Sequence, residues 1–441
     1  MATTYLSKNL PANQNSLHKW TYSGWVKRSE IGNTTHLFNF YDDANNRGGL
    51  RFNSDNTLMY YEHLGGSTVV NKTTNRVFRD VSAWYHVMVA VDKSVSSPDT
   101  QIYINGVEET SFSTDNDYSQ NQTTKINDTD TLYINSEDGS SNIHNQLMAH
   151  VHWVSGYKLT PATFGETDST SGIWKPKTAP SVTYGTNGFF LKFENSAAMG
   201  TDSSGNSNTF AVSGSMTQNV DTPSNNFATI NPLYYSTSQS TLSNGNLTAT
   251  SSGANWNNFH STLAPSTGKW YWEVKVVNVG SNTHPIGIVG TDDSELNKTS
   301  LGDAFDNGTT GISYVQTGDK DVAGSRTSYG NSYTTGDIIG VAMDLDNLKL
   351  YFSKNGTYQN SGVPTSGSTG TGAISIVSGH SYLASFAHYN TMVDSINFGQ
   401  GYFGTTQVAS GNADANGHGI MEYAVPSGYY TLNTKNLKEF G

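Results

Sequence analysis

One acidic pattern in the sequence has residue types that could hydrolyse a glycosidic bond. Such hydrolysis needs two carboxylates flanking the scissile bond, and the spacing Glu-x-Asp-x-x-Glu places them on one face of a strand. Glu166 and Asp168 begin this pattern, but Ser171 stands where the last glutamate belongs. They also follow the last predicted strand of their region. We therefore interpret both as solvated loop acids and predict that the protein is not an enzyme.

Histidines form a second candidate for chemistry. His150 and His152 would share one face of a strand, a spacing that could hold a metal ion, and His144 lies close by in sequence. No motif supplies a further ligand nearby. We therefore favour ordinary cross-strand packing for these histidines.

A third candidate is Trp256, which precedes Asn257 and Asn258 in the segment SGANWNNFH. Sugars stack their apolar faces on such rings, and asparagine side chains bind hydroxyl groups. A glycan contact at these three residues is one interpretation. Burial of Trp256 against a surface between domains is the other.

Composition limits the classes of partner. The net charge is −12 and no cluster of Lys and Arg interleaves with aromatic residues, so we expect no nucleic-acid partner. The chain has no cysteine, which excludes a disulfide framework and a thiolate metal site and is typical of assembly in a reducing cytoplasm. The N-terminal residues lack the apolar core of a signal peptide, and no long apolar stretch occurs. We expect cytoplasmic synthesis and no membrane insertion.

The elements that must position these residues are short strands. AWYHVMVAVD (83–92) is a continuous apolar run, which suits a strand buried on both faces. KWYWEVKVVNV (269–279) alternates, placing Trp270, Trp272, Val274 and Val276 on one face. Asn105-Gly106 and Asn355-Gly356 are typical of two-residue hairpin turns. The sequence therefore predicts an all-β protein without long helices.

A proline-bearing segment, KPKTAPSVTYG (175–185), is the clearest boundary in the chain. We predict a first antiparallel β-sandwich over 1–175, a linker with short strands over 176–235, a second sandwich over 236–400 and a C-terminal tail over 401–441. The tail carries several apolar side chains that need a surface to cover them, namely Tyr429, Tyr430, Leu432, Leu437 and Phe440. We expect it to dock on another protein or to hold a homo-oligomer, with a trimer favoured over a dimer.

Several ordered motifs resemble known families. WTYSGWVKRS, VFRDVSAWYHVMVAVD, QIYINGVEETSFST and LMAHVHWVSGYKLTPATFGE together resemble a laminin-G-like, concanavalin A-like domain. GKWYWEVKVV, GDIIGVAMDLDNLKLYFSKNGTYQ and VDSINFGQ resemble a SPRY domain. The segment that begins with IWKPKTAPSVTYG (173–214), the following DTPSNNFATINPL (221–233) and the ending PSGYYTLNTKNL are similar to parts of marine phage structural proteins. These resemblances imply two concanavalin-A-like, jelly-roll sandwiches.

The family resemblances also imply sites. Laminin-G-like domains bind calcium at a rim through carboxylates and backbone oxygens, so Asp42 and Asp43 would be calcium ligands here, unless they only cap turns. Calcium is the one cofactor that we consider. SPRY domains bind partners through loops at one end of the sandwich. The matching loops contain two charged and two aromatic residues, Asp319, Arg326, Tyr329 and Tyr333.

The resemblance to phage proteins implies a place on the exterior of a virion, among other virion proteins. We expect a tail-fibre or adhesin type of protein that binds a host-surface glycan or receptor without cleaving it. The alternatives are a decoration protein of the capsid or tail and, with less support, a glycan-cleaving enzyme. The chain is expected to have two binding domains of similar fold and no fibre shaft. We therefore expect a compact protein that docks on a larger assembly.

Overall fold

The computed structural model describes residues 4–12, 18–235, 239–297 and 304–441, and strands are the dominant element. The chain divides into two compact units, one ending at Gln218 and the other beginning at Asn219. We call them the first and the second domain. The predicted all-β class is confirmed.

The first domain contains sixteen described strands and one 3₁₀ turn, Pro161–Thr163. In chain order the strands are β1 Tyr5–Asn9, β2 Lys19–Arg28, β3 Thr35–Asp43, β4 Asn46–Phe52, β5 Thr57–Leu64, β6 Ser67–Val77, β7 Trp84–Asp92, β8 Asp99–Ile104, β9 Val107–Glu108, β10 Phe112–Asn116, β11 Thr131–Ile134, β12 Gln146–Ser155, β13 Gly165–Thr167, β14 Trp174–Pro176, β15 Phe189–Leu191 and β16 Ala211–Ser213.

These strands form two main antiparallel sheets that share a core. The eight-stranded sheet has the order β10-β6-β5-β4-β3-β11-β1-β16, and the six-stranded sheet has the order β15-β12-β2-β7-β8-β9. Val87 and Val89 of β7 point into the core between the sheets. Met88 and Ala90 point to the opposite face, where they pack with Phe164 in a second apolar cluster. The continuous apolar run of β7 is therefore buried on both faces, as predicted.

The second domain contains seventeen described strands. They are β17 Ser240–Ser243, β18 Thr248–Ser251, β19 Asn257–His260, β20 Lys269–Asn278, β21 Pro285–Gly290, β22 Ile312–Val315, β23 Asp319–Val322, β24 Ser325–Ser328, β25 Ile338–Asp344, β26 Lys349–Lys354, β27 Thr357–Tyr358, β28 Ile374–Ser375, β29 Tyr382–His388, β30 Val393–Asn397, β31 Tyr402–Phe403, β32 Thr406–Gln407 and β33 Tyr430–Thr431. The helical elements are four 3₁₀ segments, Ser294–Asn297, Phe305–Asn307, Gln359–Ser361 and Pro364–Thr369, and one α-helix, α1, Thr434–Phe440.

A nine-stranded and a six-stranded sheet enclose the core of the second domain. The central path of the larger sheet is β17-β18-β30-β20-β25-β26-β27, with β28 on β26 and β33 on β20, and the smaller sheet has the order β19-β29-β21-β22-β23-β24. All four alternating residues of β20, Trp270, Trp272, Val274 and Val276, lie in the core. The hairpin turns at Asn105-Gly106 and Asn355-Gly356 have positive φ at both positions, between 48° and 80°, as the type I′ geometry requires.

In the structure, the predicted linker, residues 176–235, does not form a separate segment but belongs to the two domains. Its strand β15 pairs with β12, and β16 pairs with β1, so the part up to Gln218 completes the two sheets of the first domain. Phe189 and Phe210 are buried in that core. From Asn219 onward the chain joins the second domain, where Ile230 lies in the core. The predicted start of the second sandwich at residue 236 lies outside the described residues.

The C-terminal tail, residues 401–441, packs on the second domain itself. β33 pairs in parallel with Trp270 and Tyr271 of β20. Tyr429 and Leu432 are 0% and 1% exposed. Asn433 caps α1 by accepting a hydrogen bond from the Asn436 backbone N–H at 3.1 Å. The apolar side chains that suggested an external partner thus have a surface within their own domain.

Candidate functional site

One end of the six-stranded sheet in the second domain collects several of the predicted site residues. Asn257 at the start of β19 pairs with His388 at the end of β29. β21 begins at the same end, because Ile286 pairs with Phe386, and the β22–β23 turn follows Val315, which pairs with Pro285. We call this end the rim and define it as residues 254–257, 281–283, 316–319 and 389–391. Neighbouring strands are about 4.8 Å apart, so the rim extends about 19 Å from β19 to β23.

Trp256 provides an aromatic surface at one side of the rim. It is half-buried, and its ring lies 5.5 Å from that of Tyr389 at an angle of 56°. Its covered part packs on a small apolar cluster of the second domain that includes Phe305 and Leu383. Part of the Trp256 ring therefore remains exposed for a glycan contact, and the apolar cluster supports its covered part.

The two asparagines after Trp256 do not share this exposure. Asn257 is 0% and Asn258 is 2% exposed. The side-chain oxygen of Asn258 accepts a hydrogen bond from the Phe305 backbone N–H at 3.1 Å. The prediction that these asparagines bind ligand hydroxyls is therefore wrong, because strand pairing turns both into the domain.

Asp319 and Arg326 lie toward the other side of the six-stranded sheet and stay accessible. Asp319 accepts a hydrogen bond from the Thr317 hydroxyl at 2.8 Å. The Arg326 guanidinium, with 42% of the side chain exposed, pairs with Asp321 at 2.9 Å and reaches Thr283 at 3.3 Å. Thr283 belongs to the rim, so this arginine connects the exposed hairpin β23–β24 to it.

Tyr329 and Tyr333 are core residues rather than surface residues. Burial raises the pKa of Tyr329 to about 12, and its hydroxyl accepts the backbone N–H of Phe352 at 3.3 Å. The Tyr333 hydroxyl donates to the carbonyl oxygens of His284 and Tyr314. Both rings lie in the core of the second domain, so their predicted contact with a ligand is wrong.

The predicted calcium ligands in the first domain form an ion pair and hydrogen bonds within the protein. Asp42 pairs with Lys125 at 3.1 Å. Asp43 accepts the backbone N–H groups of Asn45 and Asn46 at 2.7 and 2.9 Å, and the Asn45 hydrogen bond and its neighbours lower the pKa of Asp43. These contacts favour the turn-capping interpretation over calcium binding.

The acidic pair considered for hydrolysis lies on the exposed hairpin of β13 and β14. Lys175 pairs with Asp168 at 2.9 Å and with Glu166 at 3.8 Å. The hydrogen bond from Lys175, together with those from Ser171, holds the pKa of Asp168 well below its ordinary value. A carboxyl group that stays ionised in this way cannot donate a proton to a leaving group.

The histidines of β12 pack as expected. His152 is buried, and its ring stacks on Phe190 at 3.9 Å and 18°. Its Nδ1 lies 2.9 Å from the Tyr184 hydroxyl. Burial lowers the pKa of His152 well below its ordinary value, and the packing interpretation is confirmed.

A different set of histidines, absent from our sequence predictions, converges behind the rim. His284, His388 and Asp394 are each 0% exposed. The Asp394 Oδ2 atom lies 2.7 Å from His284 Nε2 and 3.0 Å from His388 Nε2. Burial alone would raise the pKa of Asp394, but the two imidazoles lower it to about 2. No known motif signals this cluster, since His284 is distant in sequence from His388 and Asp394, which lie six residues apart on two different sheets.

In the part of the chain that the structure describes, no helix has the length and apolar character needed to cross a membrane.

Comparisons with known proteins agree with the two-domain architecture. Residues 3–163 match the laminin G type family of the concanavalin A-like lectin/glucanases superfamily, and residues 269–380 match the SPRY domain family. No protein with a curated description matches the chain. The solved SPRY domain of human HERC1 is 16% identical, with coverage of 36% of this chain and 91% of that chain and a TM-score of 0.28. Another human SPRY domain is 14% identical, with coverage of 36% and 94% and a TM-score of 0.27. By the two family matches, the chain contains a concanavalin A-like domain of the laminin G type followed by a SPRY domain.

Proposed function

We propose that the protein is a non-catalytic binding protein that recognises a glycan on a cell surface through the rim of its SPRY domain. The observation that carries this proposal is the exposed part of Trp256 beside Tyr389, with the polar groups of Thr283, Arg326 and Asp319 along the same sheet end. An aromatic face suits the apolar face of a sugar ring. Hydroxyl and charged groups suit its substituents.

The contacts of the acidic residues support a role without catalysis. A retaining or inverting glycosidase holds one carboxyl group protonated while the other is ionised. Asp168 and Glu166 share the cation of Lys175 on an exposed hairpin instead. Both side chains are solvent-accessible and lack the apolar pocket that surrounds a typical proton donor.

We further propose that the chain is part of the exterior of a phage particle, as a tail-fibre or adhesin type of protein. The support is the resemblance of residues 173–214 and 221–233 and of the ending PSGYYTLNTKNL to phage structural proteins. A decoration role on the capsid or tail is the alternative. Electron cryomicroscopy of the particle should place the chain at the tail, and a position spread over the capsid lattice would favour decoration.

Several copies would raise the useful affinity of a weak glycan site, because linked sites increase the effective concentration. We therefore retain a homo-oligomer, with a trimer favoured, as part of the proposal. The tail packs on its own domain, so the contact between copies must use another surface. Light scattering on the purified chain should give about three times the mass of one chain, and a monomer would contradict this.

Binding can be tested with an array of bacterial surface polysaccharides probed with the fluorescently labelled full-length protein. We expect binding to a small set of glycans, loss of that binding after periodate oxidation of the array, and at least a tenfold loss in Trp256→Ala. Tyr157→Ala is the matched control, because Tyr157 is an aromatic residue of the first domain that is 47% exposed. This control should bind as the wild type does.

Two outcomes would contradict the proposal. One is the absence of any periodate-sensitive binding on the array. The other is glycan binding that Trp256→Ala leaves unchanged, which would move the site away from the rim.

A further inference from the structure

The cluster of His284, His388 and Asp394 joins the two sheets of the SPRY domain. His284 directly precedes β21 and His388 ends β29, both in the six-stranded sheet, whereas Asp394 lies on β30 of the nine-stranded sheet. All three side chains are fully buried. Any group that binds all three would therefore fasten one sheet to the other just behind the rim.

The donor atoms suit a transition metal ion. Two imidazole nitrogens and one carboxylate oxygen are common zinc ligands. The three atoms lie within 4.8 Å of one another, with Oδ2 of Asp394 at 2.7 and 3.0 Å from the two Nε2 atoms. Ligands at about 2.0–2.1 Å from a tetrahedral zinc ion lie roughly 3.3 Å apart. The two distances from Asp394 are about 0.3–0.6 Å shorter than this spacing.

The charge of the cluster also favours a cation. Among the described residues, the ion-pair partners of Asp394 are the two histidines alone. A fully buried carboxylate is costly without a compensating charge, and a bound cation would supply one. In addition, Oδ1 of Asp394 and Nδ1 of His284 are buried without a hydrogen-bond partner in the described structure. A second carboxylate oxygen is thus free to approach the ion.

Neighbouring groups hold the ring of His388 and the backbone of His284 in place. Nδ1 of His388 lies 3.2 Å from the Ser251 hydroxyl, which in turn lies 2.6 Å from that of Ser240. The backbone of His284 is held by the side chains of Gln316 and Tyr333. Metal-binding histidines usually engage their other ring nitrogen as His388 does, which fixes the ring and its tautomer.

We propose that His284, His388 and Asp394 bind one divalent transition metal ion, with zinc the expected ion, at a closed structural site of the SPRY domain. Full burial of the ligands leaves no path for a substrate, so the ion would stabilise the domain rather than catalyse a reaction. A water molecule would complete a tetrahedral shell. This inference is independent of the proposed glycan binding.

The test measures metal content and thermal stability of the tag-free full-length protein. After refolding with Zn²⁺ and extensive dialysis, elemental analysis should find about one zinc ion per chain. Removal of the ion with a strong chelator should lower the melting temperature by about 5–10 °C, and added Zn²⁺ should restore it. His284→Gln and Asp394→Asn should lose the bound zinc and the response to chelator.

His260→Gln is the matched control, since His260 is a buried histidine of β19 that bonds to Ser385 at 2.8 Å outside the cluster. It should keep about one zinc ion per chain. If the cluster variants fail to fold, Co²⁺ substitution in the wild type should give the intense visible absorption of a tetrahedral site with nitrogen ligands.

Three outcomes would overturn the inference. They are a wild-type protein without bound zinc and without a chelator response, zinc that His284→Gln retains in full, or a Co²⁺ spectrum of the hexa-aqua ion. Any of these would identify the cluster as a hydrogen-bonded triad in which both imidazoles donate to Asp394.

Discussion

The rings of Tyr430 and Phe440 stack at 3.8 Å with an angle of 7° between their planes. The stack connects β33, which extends the nine-stranded sheet, to the C-terminal helix α1. Both side chains pack against the core of the second domain. The C-terminal tail is therefore a structural part of the SPRY domain and not a free arm.

Leu432→Ala tests this role of the tail. Leu432 is 1% exposed and lies in the core of the second domain, so we expect a loss of about 2–4 kcal/mol in the free energy of unfolding. Urea unfolding followed by tryptophan fluorescence measures it. Leu233→Ala is the control, because Leu233 is 56% exposed and its truncation should cost less than about 0.5 kcal/mol. If Leu432→Ala lowered the free energy of unfolding as little as Leu233→Ala does, the packing of the tail on the second domain would be contradicted.

The two domains should fold separately when the chain is divided after Gln218, where the two compact units meet. Fragments 1–218 and 219–441 each contain the strands that complete their own sheets. Each should show a cooperative thermal transition and dispersed amide signals in NMR spectra. A cut after residue 175 should instead leave the first fragment without β15 and β16 and unable to unfold cooperatively. Equal behaviour of the two first-domain fragments would show that residues 176–218 are dispensable.

The stability of the second domain should fall as the pH rises from about 5 to about 7, because of Glu273. Burial raises the pKa of its carboxyl group from 4.5 to about 7, although the backbone N–H groups of Glu422 and Tyr423 donate to it at 2.9 and 2.8 Å. Between these values the folded state binds more protons than the unfolded state. The stabilising contribution is thus complete at low pH and is lost as the pH passes the folded pKa, by up to about 3 kcal/mol.

Glu273→Gln separates this effect from other titrations. Glutamine keeps the shape of the side chain and one acceptor oxygen but does not titrate. Urea unfolding of fragment 219–441 at several pH values should therefore show a shallower decline between pH 5 and 7 in the variant. An unchanged slope would assign the pH dependence to other groups.

The sequence predicted the local structure well because local chemistry determines it. Two Asn-Gly pairs fixed the hairpin turns, and the period-2 pattern of β20 placed Trp270 and Trp272 in the core. Long-range placement was harder. Whether Tyr333 faces solvent or the core depends on how β22 and the chain before β21 pack around it, and no short pattern encodes that.

The candidate site shows the same limit. Trp256 could be identified because a large aromatic residue among Asn and Gly is unusual. Asn257 has the same local surroundings but is turned inward by its pairing with His388. The cluster that includes His284 and Asp394 forms only when the two sheets are brought together. Neither hydrophobic periodicity nor residue spacing in the sequence predicts a cluster that forms between two packed sheets.

The protein should release no sugar from any polysaccharide that it binds. Asp168 and Glu166 share Lys175 on an exposed hairpin, and the hydrogen bond from Lys175 lowers the pKa of Asp168, so we expect Asp168 not to act as a proton donor. Reducing-end assays on the bound polysaccharide should stay at the level of a heat-denatured sample. If reducing ends formed and Asp168→Asn abolished them, the non-catalytic assignment would fail.

The most direct test of glycan recognition at the rim is isothermal titration of the array-selected oligosaccharide into the full-length protein. We predict saturable binding with one site per chain, a dissociation constant that rises at least tenfold in Trp256→Ala, and no change in Tyr157→Ala. A tenfold change corresponds to about 1.4 kcal/mol, which is modest for the loss of an aromatic anchor. An isotherm without saturable binding, or one that Trp256→Ala leaves unaltered, would contradict the account.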